Sequence, residues 1–71
     1  MNDEIRSIFT RLKAERIRQR KSQAEIAESM GIDRSAVSKM ETGRNISLNR
    51  TLQYARILGY KIKIETDGLE N

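Results

Sequence analysis

The chain has 71 residues, no Cys, no His and a formal net charge of +4. That length holds one domain with a small core, and the missing residue types exclude disulfides, thiolate metal sites and the commonest general base. Between Arg6 and Lys63, 14 Lys and Arg face five acids (Glu15, Glu25, Glu28, Asp33 and Glu41), which leaves +9 and points to a polyanionic partner, nucleic acid before membrane. Asp3 is placed to cap a first helix, with Ile5, Ile8, Phe9, Leu12 and Arg16 on its inward stripe. The pattern fades near Gln19, and Gln19-Arg20-Lys21 reads as a connection.

Ser22 and Glu25 have the spacing of a capping box, opening a second helix from Gln23 to Met30 with Ile26, Ala27 and Met30 inward. Gly31 ends it, since glycine adopts the left-handed conformation at little cost. Asp33 is placed to cap a third helix from Arg34 to about Glu41, stopped by Gly43. Ser47 is placed to cap a fourth, with Leu48, Thr51, Leu52, Ala55 and Leu58 inward, ending at Gly59. Then the period changes from helical to alternating. Tyr60, Ile62 and Ile64 alternate with Lys61, Lys63 and Glu65, the pattern of a half-buried strand. Residues 1–66 are expected to form one domain with a strand at about 60–66, and residues 67–71 a frayed tail. No apolar run is long enough to span a bilayer and no signal-peptide core follows Met1, so a cytoplasmic protein is expected.

The functional signal is the helix pair around Gly31. Ala27 is small where the next helix crosses close, Gly31 supplies the turn, and Val37 anchors the second helix on the first. That leaves the outer face of the second helix free, and an α-helix fits the major groove of DNA. The stretch Leu12 to Gly59 resembles the XRE family, the Cro and repressor type of lambdoid phages. The resemblance rests on Lys13-Ala14-Glu15-Arg16-Ile17, Ser22 to Glu28, Gly31 to Ser35, Val37 to Asn45, Ser47-Leu48 and Ala55 to Gly59. It implies an all-α, lambda-repressor-like bundle of four to five helices, here with a short C-terminal β-strand.

Position by position, the resemblance gives Gln23 the role of contacting a phosphate and bracing the reading helix. Arg34, Ser35 and Lys39 fall where base-reading side chains project, with Ser38 on the flank; an Arg there suits guanine. Thr42, Arg44 and Asn45, with Gly43, match a loop that grips the DNA backbone through amides and a cation. Arg16 and Glu41 fall where related proteins have a partly buried ion pair. Three departures stand out. Arg20 and Lys21 replace a Gly and an apolar residue, which suggests a less anchored loop, and Ile46 replaces a Pro. The expected fifth helix gives way to Tyr60–Glu65, an ending that resembles the HipB and HigA antitoxins, where such a strand joins two subunits.

The resulting expectation is a homodimeric repressor of a palindromic operator, of phage type or as the autoregulating antitoxin of a toxin–antitoxin pair, with a toxin as a further partner. In that dimer Tyr60, Ile62 and Ile64 would form a shared ribbon over Tyr54 and Ile57 of the fourth helix. The competing reading is a protein-interaction module that uses the same fold without touching DNA. No catalytic cluster is present, so neither enzyme activity nor a cofactor or metal is expected.

Overall fold

The computed structural model describes residues 3–63, with side chains from Arg6 onward. Its regular elements are four helices: α1 (Asp3–Arg18), α2 (Gln23–Met30), α3 (Arg34–Glu41) and α4 (Leu48–Ile57). The expectations for the Asp3 and Ile5 side chains, for Ile64 and for the tail 67–71 lie outside the described residues.

α1 buries Phe9, Leu12 and Arg16, with Ile8 at the edge of the core. The loop after it departs from the sequence expectation. Arg20 adopts φ 60°, and the Lys21 amide closes onto the Arg16 carbonyl at 3.1 Å. The Arg16 guanidinium donates to the Lys21 carbonyl at 2.8 Å, and the Gln19 side-chain Nε2 donates to the Leu58 carbonyl at 2.9 Å. The basic loop is therefore anchored to both α1 and the end of α4. Its cost is a non-glycine residue in the left-handed region.

Ser22 and Glu25 form the reciprocal capping box, with the Glu25 amide donating to the Ser22 hydroxyl at 3.0 Å. The Ser22 backbone amide in turn donates to the Glu25 carboxylate at 2.8 Å and, with the Ser22 side chain, holds that carboxyl below the ordinary range. Gly31 ends α2 at φ 70°, and the Ile32 amide reaches the Ala27 carbonyl at 3.0 Å. The turn thus closes on α2's own last carbonyls, and α3 packs on α2 through Ala27 and Val37, both buried. Asp33 occupies the N-cap position of α3 but makes no side-chain capping bond.

In α4, the Ser47 hydroxyl accepts from the Arg50 amide at 3.1 Å. Thr51, Tyr54, Ala55 and Leu58 face the core. Three expectations are corrected here, the first being Leu52, which is only half-buried and lies outside the core cluster. Leu48 is 59% exposed, because Ile46, just before the cap, packs against the core at this end instead. Tyr54 is fully buried rather than an exposed residue awaiting a ribbon. It stands three residues from Thr51 and four from Leu58, on one helical stripe, and its ring meets Phe9 edge-on at 5.2 Å between centroids.

Beyond Gly59, residues 60–63 form neither a strand nor a helix; the rest of the expected strand lies outside the described residues. A strand requires a neighbouring strand, and every other regular element described in this chain is a helix. The segment instead lies on α1. The Tyr60 hydroxyl donates to Glu15 at 2.6 Å, and Ile62 packs against the core. A groove of about 490 Å³ runs between them, lined by Ile8, Arg11, Leu12 and Ala14 of α1 together with Tyr60 and Ile62. Tyr60 and Ile62 therefore cover α1, not the Tyr54–Ile57 side of α4.

Candidate nucleic-acid interface

Four helices converge on one carboxylate. Arg16 of α1 donates to Glu41 of α3 through Nε at 2.7 Å and Nη2 at 3.1 Å, and the Glu41 side chain is 1% exposed. Gln23, the first residue of α2, donates its amide to Glu41 at 3.0 Å, and Tyr54 of α4 donates its hydroxyl at 2.5 Å. Burial pushes the Glu41 carboxyl up, but the hydrogen bonds from Arg16, Tyr54 and Gln23 outweigh it and hold the group below the usual carboxylate range. Burial and the adjacent carboxylate together push the Tyr54 phenol above its ordinary range. No buried side-chain nitrogen or oxygen among the described residues lacks a partner. Tyr54 was not among the sequence-derived site residues; only its place on the α4 stripe could have signalled it.

The same cluster reaches the outer face of α3. The Gln23 carbonyl oxygen accepts from Arg34 Nη1 at 3.2 Å. Gln23 thus links the buried carboxylate to the first residue of α3 and limits where that guanidinium can swing. Along α3, Val37 and Met40 are buried, while Arg34, Ser35 and Lys39 are exposed and Ser38 is half-buried at their flank. The helix therefore presents short polar and cationic side chains on one side and a fully buried face on the other.

The loop after α3 differs from a simple amide grip. The amides of Thr42, Gly43 and Arg44 all donate to carbonyls of α3, with the Arg44 amide on Lys39 at 2.7 Å. The Thr42 hydroxyl also donates to the Lys39 carbonyl, at 2.9 Å, and receives Arg44 Nε at 3.4 Å. Thr42 thus acts as the end cap of α3 and a support for Arg44. Asn45 adopts φ 52°, a region that Asn tolerates better than most residues. The side chains of Arg44 and Asn45 are exposed, and the Asn45 amide has no carbonyl partner among the described residues.

Two short helices joined through a left-handed glycine, with the second exposing a cationic face, define the chain as a helix-turn-helix protein. The helix-turn-helix family model matches residues 12–64, and the chain belongs to that family of DNA-binding domains, of the XRE type. No curated protein and no solved structure matches the chain. No helix among the described residues is long and apolar enough to cross a membrane.

Proposed function

We propose that the chain binds double-stranded DNA with α3 in the major groove and, as a homodimer on a palindromic operator, represses transcription. One observation carries this reading: α3 buries Val37 and Met40 and leaves Arg34, Ser35 and Lys39 in solvent. An interaction helix would offer apolar side chains there, whereas base edges call for hydrogen-bonding ones. In this reading Arg34 donates to a guanine, Lys39 and Ser35 reach adjacent base edges, and Ser38 contacts the flank. Gln23 donates the second hydrogen of its amide to a phosphate, and Arg44 and Asn45 hold the next one, with Thr42 supporting Arg44. The Gln23–Arg34 hydrogen bond orders the guanidinium before DNA arrives, which lowers the cost of binding.

One α3 spans only a few base pairs, and two copies on half-sites about 34 Å apart supply specificity. The amides of Lys61, Ile62 and Lys63 have no carbonyl partner among the described residues, which supports pairing with the same segment of a second subunit. Tyr60 and Ile62 keep their places on α1 in this arrangement, Ile64 extends the strand, and the added strand lies at the outer edge. The antitoxin role rests on the resemblance of this ending alone; a toxin gene beside this one, with a stable complex of the two products, would support it.

The test is titration of random and palindromic duplexes across salt concentrations. Binding should weaken steeply, with a log–log slope of about 0.9 per neutralised phosphate. No binding to any duplex at low salt would overturn the reading and leave a protein-interaction module. For the dimer, deletion of residues 60–71 should yield a monomer with weakened operator binding; a truncated chain that stays dimeric with unchanged affinity contradicts the ribbon.

A further inference from the structure

The loop grip is short of donors. With the amides of Thr42, Gly43 and Arg44 and the Thr42 hydroxyl all turned onto α3, a phosphate at this turn is left, among the loop's described side chains, chiefly with those of Arg44 and Asn45. A second cation stands over the same turn. Arg6, on the first turns of α1, covers Gly43 so closely that a Cβ there would sit 3.1 Å from Arg6 Nε and 3.3 Å from its Cγ. Arg6 is exposed, Gly43 is buried beneath it at φ 86°, and Arg44 follows immediately in the chain. Beside them is a cleft of about 300 Å³ lined by Arg6, Thr10, Glu41, Thr42 and Gly43. The one carboxylate in that lining is neutralised, because Glu41 is bonded by Arg16 and its side chain is almost wholly removed from solvent.

The geometry points to a phosphodiester site at the edge of this cleft, in which Arg6 of α1, which lines it, and Arg44 of the α3–α4 loop, the residue next to Gly43, hold one backbone phosphate of the duplex. The inference rests on the duplex-binding reading and extends the interface to a helix outside the helix-turn-helix pair. Gly43 has two jobs there: it takes the left-handed turn, and its missing side chain lets the Arg6 stem lie flat against the loop. The aliphatic part of Arg6 covers backbone while its guanidinium stays at the surface, the usual division within a long cationic side chain. A contact to phosphate carries no base information, so its loss weakens every sequence alike.

The experiment is duplex binding as a function of salt for the full chain and for Arg6→Gln, Arg6→Lys and Arg11→Gln, on a selected and a scrambled site. Arg6→Gln keeps the cover over Gly43 and removes the charge. Arg11 lies on the same helix but lines the groove beside Tyr60, so it serves as the control for a general loss of positive charge. Arg6→Gln should make the log–log slope shallower by about 0.9 for each bound subunit and weaken binding about eightfold per subunit at 0.1 M salt, equally on both duplexes. Arg6→Lys should retain the slope, and Arg11→Gln should leave it unchanged. An unchanged slope in Arg6→Gln, with the parent chain binding normally, overturns the site and leaves the duplex reading standing. An equal change in Arg11→Gln overturns it too, by showing a diffuse field. Absence of binding by the parent chain removes the duplex reading and the site with it.

Discussion

Glu41 and Glu15 have the same chemistry and different consequences. Each accepts from one arginine and one tyrosine hydroxyl: Glu41 from Arg16 and Tyr54, and Glu15 from Arg18 and Tyr60. The Glu41 side chain is 1% exposed and that of Glu15 is 30% exposed, with its Arg18 partner largely in solvent. Hydrogen bonds from Arg18 and then Tyr60 pull the Glu15 carboxyl down to about 2, yet water and salt can replace them readily. The pair at Glu41 has no such replacement, and it ties all four helices and, through Gln23, the side chain of Arg34. Burial, more than the identity of the partners, decides which cluster holds the fold and which only holds a segment on its surface.

Breaking one partner of the buried cluster should have the largest effect. Arg16→Ala strands the Glu41 charge and should cost about 3–5 kcal/mol in urea unfolding, enough to unfold much of a domain this small. Tyr54→Phe removes one donor from the same carboxylate and should cost about 1–3 kcal/mol. Acid gives a third handle. Because the folded Glu41 carboxyl lies below its ordinary value of 4.5, its contribution is present above that pH and is lost as pH falls below it through the folded value. Stability should therefore decline below about pH 4.5 even in high salt, which screens buried pairs poorly.

Smaller effects sharpen the contrast from outside the cluster. Arg20→Gly should raise stability by about 0.5–1 kcal/mol, since glycine adopts the φ 60° of that position without strain. Tyr60→Phe should give the smallest change: an unaltered melting temperature in high salt, with faster hydrogen exchange confined to residues 60–63. A large drop in melting temperature there would mean that the exposed cluster matters as much as the buried one.

The boundaries of α2 and α3 were legible because their signals are local: Ser22 with Glu25, and Gly31, act within a few residues of themselves, and Asp33 stands at the N-cap of α3 although its side chain makes no capping bond. The cationic face of α3 was legible through the resemblance, which places Arg34, Ser35 and Lys39 where side chains project, with Val37 as the anchor on α2; the burial of Met40 on the opposite side came only with the fold. What escaped depends on residues distant in sequence. Tyr54 looks like a surface aromatic until Glu41 and Phe9 are placed beside it, and Leu48 looks inward until Ile46 takes the core at that end. Arg20 looked like a loosening of its loop, whereas the anchors come from the Arg16 side chain and the Leu58 carbonyl. The strand pattern after Gly59 is real as an alternation, but pairing needs a second strand, and the described segment of a single chain lies on α1 instead.

The central claim is that α3 reads bases while the loop after it grips phosphate, and Arg34 tests it most directly. A preferred duplex is obtained by selection from a random pool, and Arg34→Ala and Arg44→Ala are titrated on that duplex and on its scrambled counterpart. Arg34→Ala should lose about 1–3 kcal/mol on the selected site and little on the scrambled one, relaxing preference at one base pair per half-site. Arg44→Ala should weaken both about equally. Equal losses for Arg34→Ala on the two duplexes would contradict the account and reduce Arg34 to one more phosphate contact.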